Sequence, residues 1–533
     1  MSASDSYPRE SAPAMIFPSG EGVITALPSR PQRGLSLSGG STLAGETSSI
    51  PEAEGPTWPR EWRAWTSLVG CFFLMFNSWG LVNAYGTFAS YYEELLMPEK
   101  DLYLMNLIGS TESFVVLVLS FIVGRLLDAG LSNIVLPSGF VLVTLGMFLL
   151  SLSGGETYNS GDYGHIWLTQ GLTTGLGMAC FFVASSQIAT TWFVKRKSLA
   201  IGIVASGASI AGLVYPFMAR ELIARLGWER ALQITASLTS GTSLVSVVFA
   251  QPNPKHPLNK GENSKWLSVG RWIDPPAFSH ATYNWFCASI AFMFFGFYAV
   301  FFNLEEWALS KGLGRTNARG DIDHEIPVFY YLSVMNASST IGRCLSGWLS
   351  DRYGALRVHF CVMFVSSLLL LALWTTVSNV AGAFAFVIIF GAFSGAVIGM
   401  PPATIANIIH HTPDTDHSRM GHWTGMMYTI AAPFALTGPV IAGHLISRYN
   451  SFLSVQLWSG MCLFFSSMCI AAAMYSMYRE RWRSSSLVKV QSFASRLFDT
   501  ESGAVTAVNS RPETRDVSDN EKDDGKDRSS TGQ

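Results

Sequence analysis

Charged side chains are scarce in this chain. Only 14% of its 533 residues are Asp, Glu, Lys or Arg, and its formal net charge is −2. A soluble globular protein carries about 25% charged residues, and a nucleic-acid-binding domain carries a clustered excess of Lys and Arg. The composition therefore argues against an ordinary soluble domain and indicates no nucleic-acid partner.

Cysteine and catalytic motifs are also scarce. The seven cysteines fall in apolar stretches and none forms a Cys-x-x-Cys pair, which is typical of small buried residues rather than a disulfide framework or metal site. The sequence contains no Gly-x-x-x-x-Gly-Lys-Ser/Thr element, which argues against an ATP-driven pump. It also contains no convincing Ser/His/Asp or His-Glu-x-x-His arrangement. We therefore expect neither an enzyme nor a bound metal or cofactor.

Long apolar stretches, in contrast, are abundant. Hydrophobic residues make up 49% of the chain, and its mean hydropathy is +0.29. A bilayer core about 30 Å thick is crossed by about 20 apolar residues of helix, and the sequence contains twelve stretches of this kind. It predicts an all-α membrane protein with twelve transmembrane helices. The predicted spans are 65–92, 103–124, 132–153, 164–190, 198–219, 231–250, 282–303, 327–349, 358–376, 382–409, 423–445 and 453–477.

Polar segments flank and divide these spans. The N-terminal segment is rich in Ser, Pro and Gly, and 485–533 ends in a polar run, so both are predicted to be disordered. We expect no cleavable signal peptide. Near-membrane Lys and Arg are about twice as frequent on the side of the two termini, which predicts that both are cytosolic. The predicted parts are an N-terminal tail at 1–57, a six-helix half at 65–250, a cytosolic linker at 251–281, a second six-helix half at 282–477 and a C-terminal tail at 478–533.

The two halves share a pattern at an offset of 223 residues. Gly124-Arg-Leu-Leu-Asp128 closes the second span, and Gly347-Trp-Leu-Ser-Asp351 closes the eighth. Two six-helix halves repeated in parallel are the architecture of secondary transporters that move about a site near the bilayer midplane. The same offset relates Gly202 to Gly425, Pro216 to Pro439, Leu222 to Leu445, Ile223 to Ile446 and Arg225 to Arg448.

Two charged residues inside predicted spans are the first candidates for function, because a charge in the membrane costs roughly several kcal/mol unless it is paired or hydrated. Arg343 in span 8 can grip a carboxylate with two parallel hydrogen bonds, so it is a candidate for binding an anionic substrate. A gate ion pair and snorkelling toward the surface are the alternatives. Glu112 in span 2 is a candidate for proton coupling, and a protonated contact between helices is the alternative.

Neutral polar and aromatic residues are further candidates for the substrate site. Asn77 and Tyr85 are eight residues apart in span 1, and Asn336, Ser339 and Arg343 share one face of span 8. Together they predict a site that is partly aromatic and weakly charged, which suits an amphipathic organic acid better than an inorganic ion. The candidate substrate-binding residues are Arg343, Asn83, Asn77, Tyr85, Asn336 and Ser339. Other inward-facing candidates are Trp79, Gln187 and Tyr428.

The repeated Gly-x-x-x-Asp element resembles the loop motif of the major facilitator superfamily. In that superfamily the aspartate and nearby basic residues hold the cytosolic gate, so the resemblance implies gate roles for Asp128, Asp351 and Arg352. The sequence 351–354 is close to the motif, whereas Asp128 lacks the usual basic neighbour. The fold implied is the major facilitator fold, with two parallel six-helix repeats.

A narrower resemblance is to the fungal branch of the monocarboxylate-porter family. It depends on Phe76-Asn-Ser-Trp-Gly-Leu-Val-Asn83, on Trp192-Phe193-x-Lys195-Arg196 and on Gly342-Arg343. Animal members carry a lysine where this chain has Asn83 and an aspartate where it has Ser339. Only Arg343 remains of their charged proton–substrate machinery, so proton–lactate symport is not implied intact.

These observations predict a secondary active transporter of an organic anion or small metabolite, with efflux of a secondary metabolite slightly favoured. Proton-linked import of monocarboxylates or a vitamin is the alternative, and a non-transporting membrane sensor or a membrane-embedded enzyme are alternatives of another class. The implied partners are a small organic substrate and the lipid bilayer, with protons left open. The plasma membrane is the expected location.

Overall fold

The computed structural model describes residues 58–154, 157–255, 272–314, 327–412 and 420–508. These residues form an all-helical bundle, in agreement with the predicted fold class. The long helical segments are α1 (Trp62–Tyr91), α2 (Leu102–Asp128), α3 (Ser132–Leu150), α4 (Tyr163–Trp192), α5 (Lys197–Leu226), α6 (Trp228–Phe249), α7 (Ala281–Ser310), α8 (Phe329–Tyr353), α9 (Ala355–Trp374), α10 (Val380–Gly399), α11 (Met420–Tyr449) and α12 (Leu453–Val508).

In the described part of the chain, 11 of these helices are long and apolar enough to cross a membrane. The remaining one, α8, has 25 residues and is therefore long enough. Its hydropathy is lower because it contains several polar residues, and three of these, Asn336, Ser339 and Arg343, are buried. Polar residues at membrane depth usually face the bundle interior and mark a functional site. We therefore expect α8 to contribute to such a site.

Three helices differ from the sequence prediction. α1 is interrupted at Asn77 and Ser78, and α10 ends at Gly399, before Pro401 begins a separate short helix that runs to His411. α12 continues to Val508. The prediction of disorder is therefore wrong for residues 485–508. The predicted tail at 1–57 and most of the linker, 256–271, lie outside the described residues.

Close backbone contacts within two pairs of facing helices confirm the internal repeat. A Cβ added at any of four glycines would lie 2.4–2.6 Å from a backbone carbonyl oxygen of the facing helix, so only glycine permits this packing. Each contact between α2 and α11 has a counterpart between α8 and α5 at the same 223-residue offset. The contacts are Gly124 with Gly421, Gly347 with Ser198, Gly425 with Ser120, and Gly202 with Arg343.

Candidate functional site

Two aspartates bridge the halves at one end of the bundle, which we call the aspartate end. The carboxylate of Asp351, at the end of α8, accepts hydrogen bonds from the backbone N–H groups of Ser198 and Leu199, both at 3.0 Å. Asp128, at the end of α2, accepts one from the backbone N–H of His422 at 3.0 Å. The first N–H groups of a helix have no partner within it and favour a negative charge, so each aspartate stabilises the start of a helix in the opposite half.

Further hydrogen bonds surround the contact between Asp128 and α11. The side-chain amide of Gln187, on α4, also donates to Asp128. On the α11 side, the His422 ring bonds the carbonyl of Trp272 at 2.7 Å, and Trp423 Nε1 donates to Asp274 at 2.9 Å. Because Trp272 and Asp274 belong to the predicted linker, the end of the linker is attached to the aspartate end.

Arg352 lies elsewhere. Its guanidinium is 5.9 Å from the ring centre of Trp348 and 5.7 Å from that of Tyr353. Both rings belong to α8, so Arg352 packs on its own helix next to Asp351. Of the three gate candidates, Asp128 and Asp351 therefore lie at the interface between the halves, whereas Arg352 lies beside it.

Arg343 is buried between α8 and α5, with only 2% of its surface exposed. Its Nη1 donates to the Ala205 carbonyl at 2.7 Å, and its Nε donates to Ser339 Oγ at 3.4 Å. Ser339 in turn bonds Ser209 at 2.9 Å. Among the described residues no carboxylate lies within 4.0 Å of Arg343. A buried cation without a counter-charge is costly, and such a group is well suited to receive an anion.

Five buried aromatic residues from α1, α4, α7 and α11 meet in the middle of the bundle, and we call them the central aromatic cluster. The Trp79 ring stacks on Phe182 at 4.6 Å, and Phe182 lies 4.7 Å from Tyr428. Trp79 Nε1 donates to the Tyr298 hydroxyl, and Tyr298 interacts electrostatically with Arg343. The cluster therefore joins both halves beside the buried guanidinium. Its members are Trp79, Phe182, Phe294, Tyr298 and Tyr428.

Asn77 and Asn83 lie within the N-terminal half instead. Asn77 Oδ1 accepts from the Tyr215 hydroxyl at 3.1 Å and from Thr242 Oγ1 at 2.9 Å, so it joins α1 to α5 and α6. Asn83 Nδ2 donates to the Ala208 carbonyl at 3.3 Å. The expectation that Asn77 and Tyr85 share a face assumed a continuous helix, and the break in α1 at Asn77 removes that assumption.

Tyr85 and Asn336 lie between the halves but are already engaged. The Tyr85 hydroxyl donates to the Met105 carbonyl, and its ring lies 5.0 Å from that of Phe302 on α7. Asn336 Nδ2 donates to the Gly212 carbonyl of α5 at 3.2 Å. Both residues therefore contribute to the contact between the two halves.

Glu112 is fully buried in α2, and neither carboxyl oxygen has a hydrogen-bond partner among the described residues. Its electrostatic neighbours are Tyr85 and Tyr92, and its backbone packs against Gly175 of α4. The side chain therefore lies inside the N-terminal half, away from Arg343. An unpaired buried carboxyl group of this kind is costly and rarely serves packing alone.

A further buried charged residue, Glu305 of α7, is not among the residues predicted from the sequence, and it is only 1% exposed. Its Oε2 lies 2.6 Å from Nη2 of Arg220 on α5. The predicted span 7 stopped at residue 303, and Arg220 was assigned to a loop. The apolar sequence Trp307-Ala-Leu309 after Glu305 was the available signal, since it shows that the helix continues.

Two six-helix halves that pack against each other in one bundle are the architecture of secondary transporters. The chain belongs to the Major Facilitator Superfamily, whose sequence model matches residues 67–411. A crystal structure of the Escherichia coli fucose:proton symporter covers 77% of this chain and 98% of its own, with a TM-score of 0.53 and 12% identity. That likeness concerns the fold alone.

Two curated relatives of this chain come from fungi. The MFS-type transporter dbaD of Emericella nidulans is 28% identical over 396 residues, which covers 74% of this chain and 82% of the relative. The agnestins efflux protein AgnL12 of Paecilomyces divaricatus is 28% identical over 421 residues, with 77% and 87% covered. The chain is thus a multi-pass membrane transporter. The narrower resemblance to monocarboxylate porters stays a prediction.

Proposed function

We propose that this transporter exports a secondary metabolite that is an amphipathic, aromatic organic anion. The observation that carries the proposal is Arg343, a buried guanidinium with no carboxylate beside it in the described residues. An anionic substrate would supply the missing counter-charge. The relative that is named as an efflux protein for agnestins supports the direction.

The chemistry of the central aromatic cluster supports the substrate class. Aromatic rings bind other rings by offset or edge-to-face stacking, which contributes about 0.5–1.5 kcal/mol per pair beyond the buried area. Trp79 and Tyr298 now bond each other, so a substrate entering between them would gain an N–H and a hydroxyl as partners. Arg343 beside them would bind a carboxylate or phenolate with charge-assisted hydrogen bonds.

Rocking of the halves gives this site access to one side of the membrane at a time. In the proposed cycle, Asp128 and Asp351 hold the aspartate end closed, on the cytosolic side of the plasma membrane where both termini would lie. Because each bonds only a few N–H groups of the opposite half, these contacts can break together when the end opens. Arg352 is left out of this gate.

Neutral residues at two key positions favour efflux of a larger metabolite over proton-linked monocarboxylate import. Asn83 bonds a backbone carbonyl of α5, and Ser339 bonds Ser209, so neither carries a charge into the site. Proton coupling through Glu112 remains a proposal, and its buried unpaired carboxyl group is the observation in its favour.

Metabolite profiling of cells and medium, with the gene intact and deleted, tests the proposal. We expect an aromatic acid to accumulate in the deletion strain and to fall in its medium. Re-expression of the wild type should restore export, and Arg343→Ala should not. A compound left unconsumed in the medium would instead establish import, and an unchanged profile in both compartments would contradict a transport role in these cells.

A further inference from the structure

We propose that Arg220 and Glu305 form a latch that holds closed the end of the bundle opposite the aspartate end. We call this the glutamate end. Arg220 lies near the end of α5 remote from Ser198, which contacts the aspartate end. Such a latch would control opening of this end whatever substrate is carried and in whichever direction.

The hydrogen-bond partners of Glu305 within the described residues all belong to the opposite half. Its Oε2 accepts from Arg220 Nη2 at 2.6 Å and from the Ser90 hydroxyl at 3.4 Å. Its Oε1 accepts from Thr87 Oγ1 at 2.8 Å. The carboxylate on α7 is therefore held by α1 and α5 together, and the halves cannot separate at this end without breaking every one of these bonds.

Neighbouring contacts show that the two halves meet closely around the latch. The amide of Asn106, on α2, donates to Asn303 Oδ1 of α7 at 3.1 Å. A Cβ added at Gly86 of α1 would lie 2.8 Å from the Phe301 carbonyl of α7. The last turns of α7 thus touch α1, α2 and α5 of the other half.

An acidic residue from each half also lies at this end. Glu93, just after α1, interacts electrostatically with Glu306 on α7, and burial raises the pKa of the Glu93 carboxyl group. The guanidinium of Arg220 makes a second contact with the C-terminal half, since it lies 5.0 Å from the ring centre of Phe329 on α8.

Burial makes the latch sensitive to loss of either partner. Glu305 is 1% exposed and the Arg220 side chain is 20% exposed. Removing one member of a buried ion pair leaves the other uncompensated, which is strongly destabilising. Opening the end would let water reach the remaining charge. Removing either Arg220 or Glu305 therefore raises the free energy of the closed state more than that of the open state. The open state becomes more populated as a result.

Double electron–electron resonance on the full chain in lipid nanodiscs tests this. Spin labels at Tyr158 and Lys311 report on the glutamate end, and labels at Val194 and Tyr353 report on the aspartate end; all four positions are exposed. The label sites are made as cysteines in a background with the three accessible native cysteines replaced by serine. Those are Cys180, Cys344 and Cys361.

We expect Glu305→Gln and Arg220→Ala to raise the ratio of long to short Tyr158–Lys311 distances by roughly tenfold, without lengthening the Val194–Tyr353 distance. Glu221→Gln is the matched control, because the exposed pair of Glu221 and Arg225 lies within α5 alone. The charge exchange of Arg220→Glu with Glu305→Arg should restore the short distances.

Three results would overturn the latch: an unchanged Tyr158–Lys311 distribution, the same lengthening in Glu221→Gln, or equal lengthening at both ends. If Glu305→Gln does not fold, Thr87→Val provides the second test. It removes one neutral hydrogen bond from the same carboxylate and should shift the distribution in the same direction by a smaller factor. No shift in a folded Thr87→Val protein would then contradict the proposal.

Discussion

The carboxylate of Asp351, at the end of α8, accepts a hydrogen bond from the backbone N–H of Leu199, in the first turn of α5, at 3.0 Å. The residues 223 positions earlier and later, Asp128 and His422, make the same contact between α2 and α11. Two equivalent contacts, each from an aspartate to the start of a helix in the opposite half, therefore hold the aspartate end closed. Since each contact joins a side chain to backbone groups, it depends on the carboxylate and hardly at all on the facing side chain.

Asp351→Ala is expected to weaken closure of the aspartate end. Loss of a carboxylate that caps a helix start costs about 0.5–2 kcal/mol, which is enough to lengthen the Val194–Tyr353 spin-label distance in a measurable fraction of molecules. Arg352→Ala is the control, because Arg352 packs on its own helix. Equal effects of the two variants would show that the helix end as a whole, rather than the Asp351 contact, controls closure.

Gly347→Leu should trap the aspartate end open and abolish transport. A Cβ at Gly347 would lie 2.6 Å from the Ser198 carbonyl, whereas a Cβ at Gly241, on α6, has no atom within 4 Å. Substrate flux and the Val194–Tyr353 distance are measured for Gly347→Leu and for the control Gly241→Leu. Normal flux in Gly347→Leu would mean that α5 and α8 can separate at this point without loss of the closed state.

Much of this arrangement was predictable because it is local in sequence. Asp128 and Asp351 stand in a repeated motif, and Arg343 is a rare charge inside a predicted span. The aromatic cluster was harder to predict, since the chain has 35 phenylalanines and 17 tyrosines. Which few of them meet depends on the rotation of each helix, and periodicity alone does not give that rotation.

Two differences from the sequence prediction have specific physical causes. The spacing of Asn77 and Tyr85 places them on one face only of an unbroken helix, and α1 breaks at Asn77. Glu305 was missed because the predicted span 7 ended at residue 303, whereas α7 continues to Ser310 and Arg220 pairs with Glu305 inside the bundle. Buried pairs between distant residues are visible only when the fold brings the partners together.

Arg343→Ala is expected to weaken substrate binding by about ten- to hundredfold, the usual range for loss of a charged hydrogen-bond partner. The variant should lose little stability, because Arg343 has no carboxylate partner among the described residues that the substitution would leave unpaired. Binding of the identified substrate and thermal unfolding are measured together. Arg343→Lys, which keeps the charge but not the fork geometry, should bind with intermediate affinity.

Trp79→Ala should impair transport of an aromatic substrate more than Trp79→Phe does. The phenylalanine keeps a ring to stack on Phe182 and loses only the N–H that bonds Tyr298. Initial rates are measured for both variants and for Trp374→Phe, a change to another buried tryptophan, which stacks on Phe386 in the C-terminal half. Equal rates for the two Trp79 variants would contradict a stacking role.

Glu112→Gln is expected to uncouple transport from the proton gradient. The amide fills the space of the carboxyl group, whose oxygens lack partners among the described residues, but it cannot bind and release a proton. In proteoliposomes, flux driven by an imposed pH gradient should fall to its level without a gradient, while substrate exchange at equal pH continues. Glu229→Gln, an exposed change on α6, is the control. A normal response to the gradient would contradict the role, and loss of exchange as well would identify Glu112 as a contact needed for the fold.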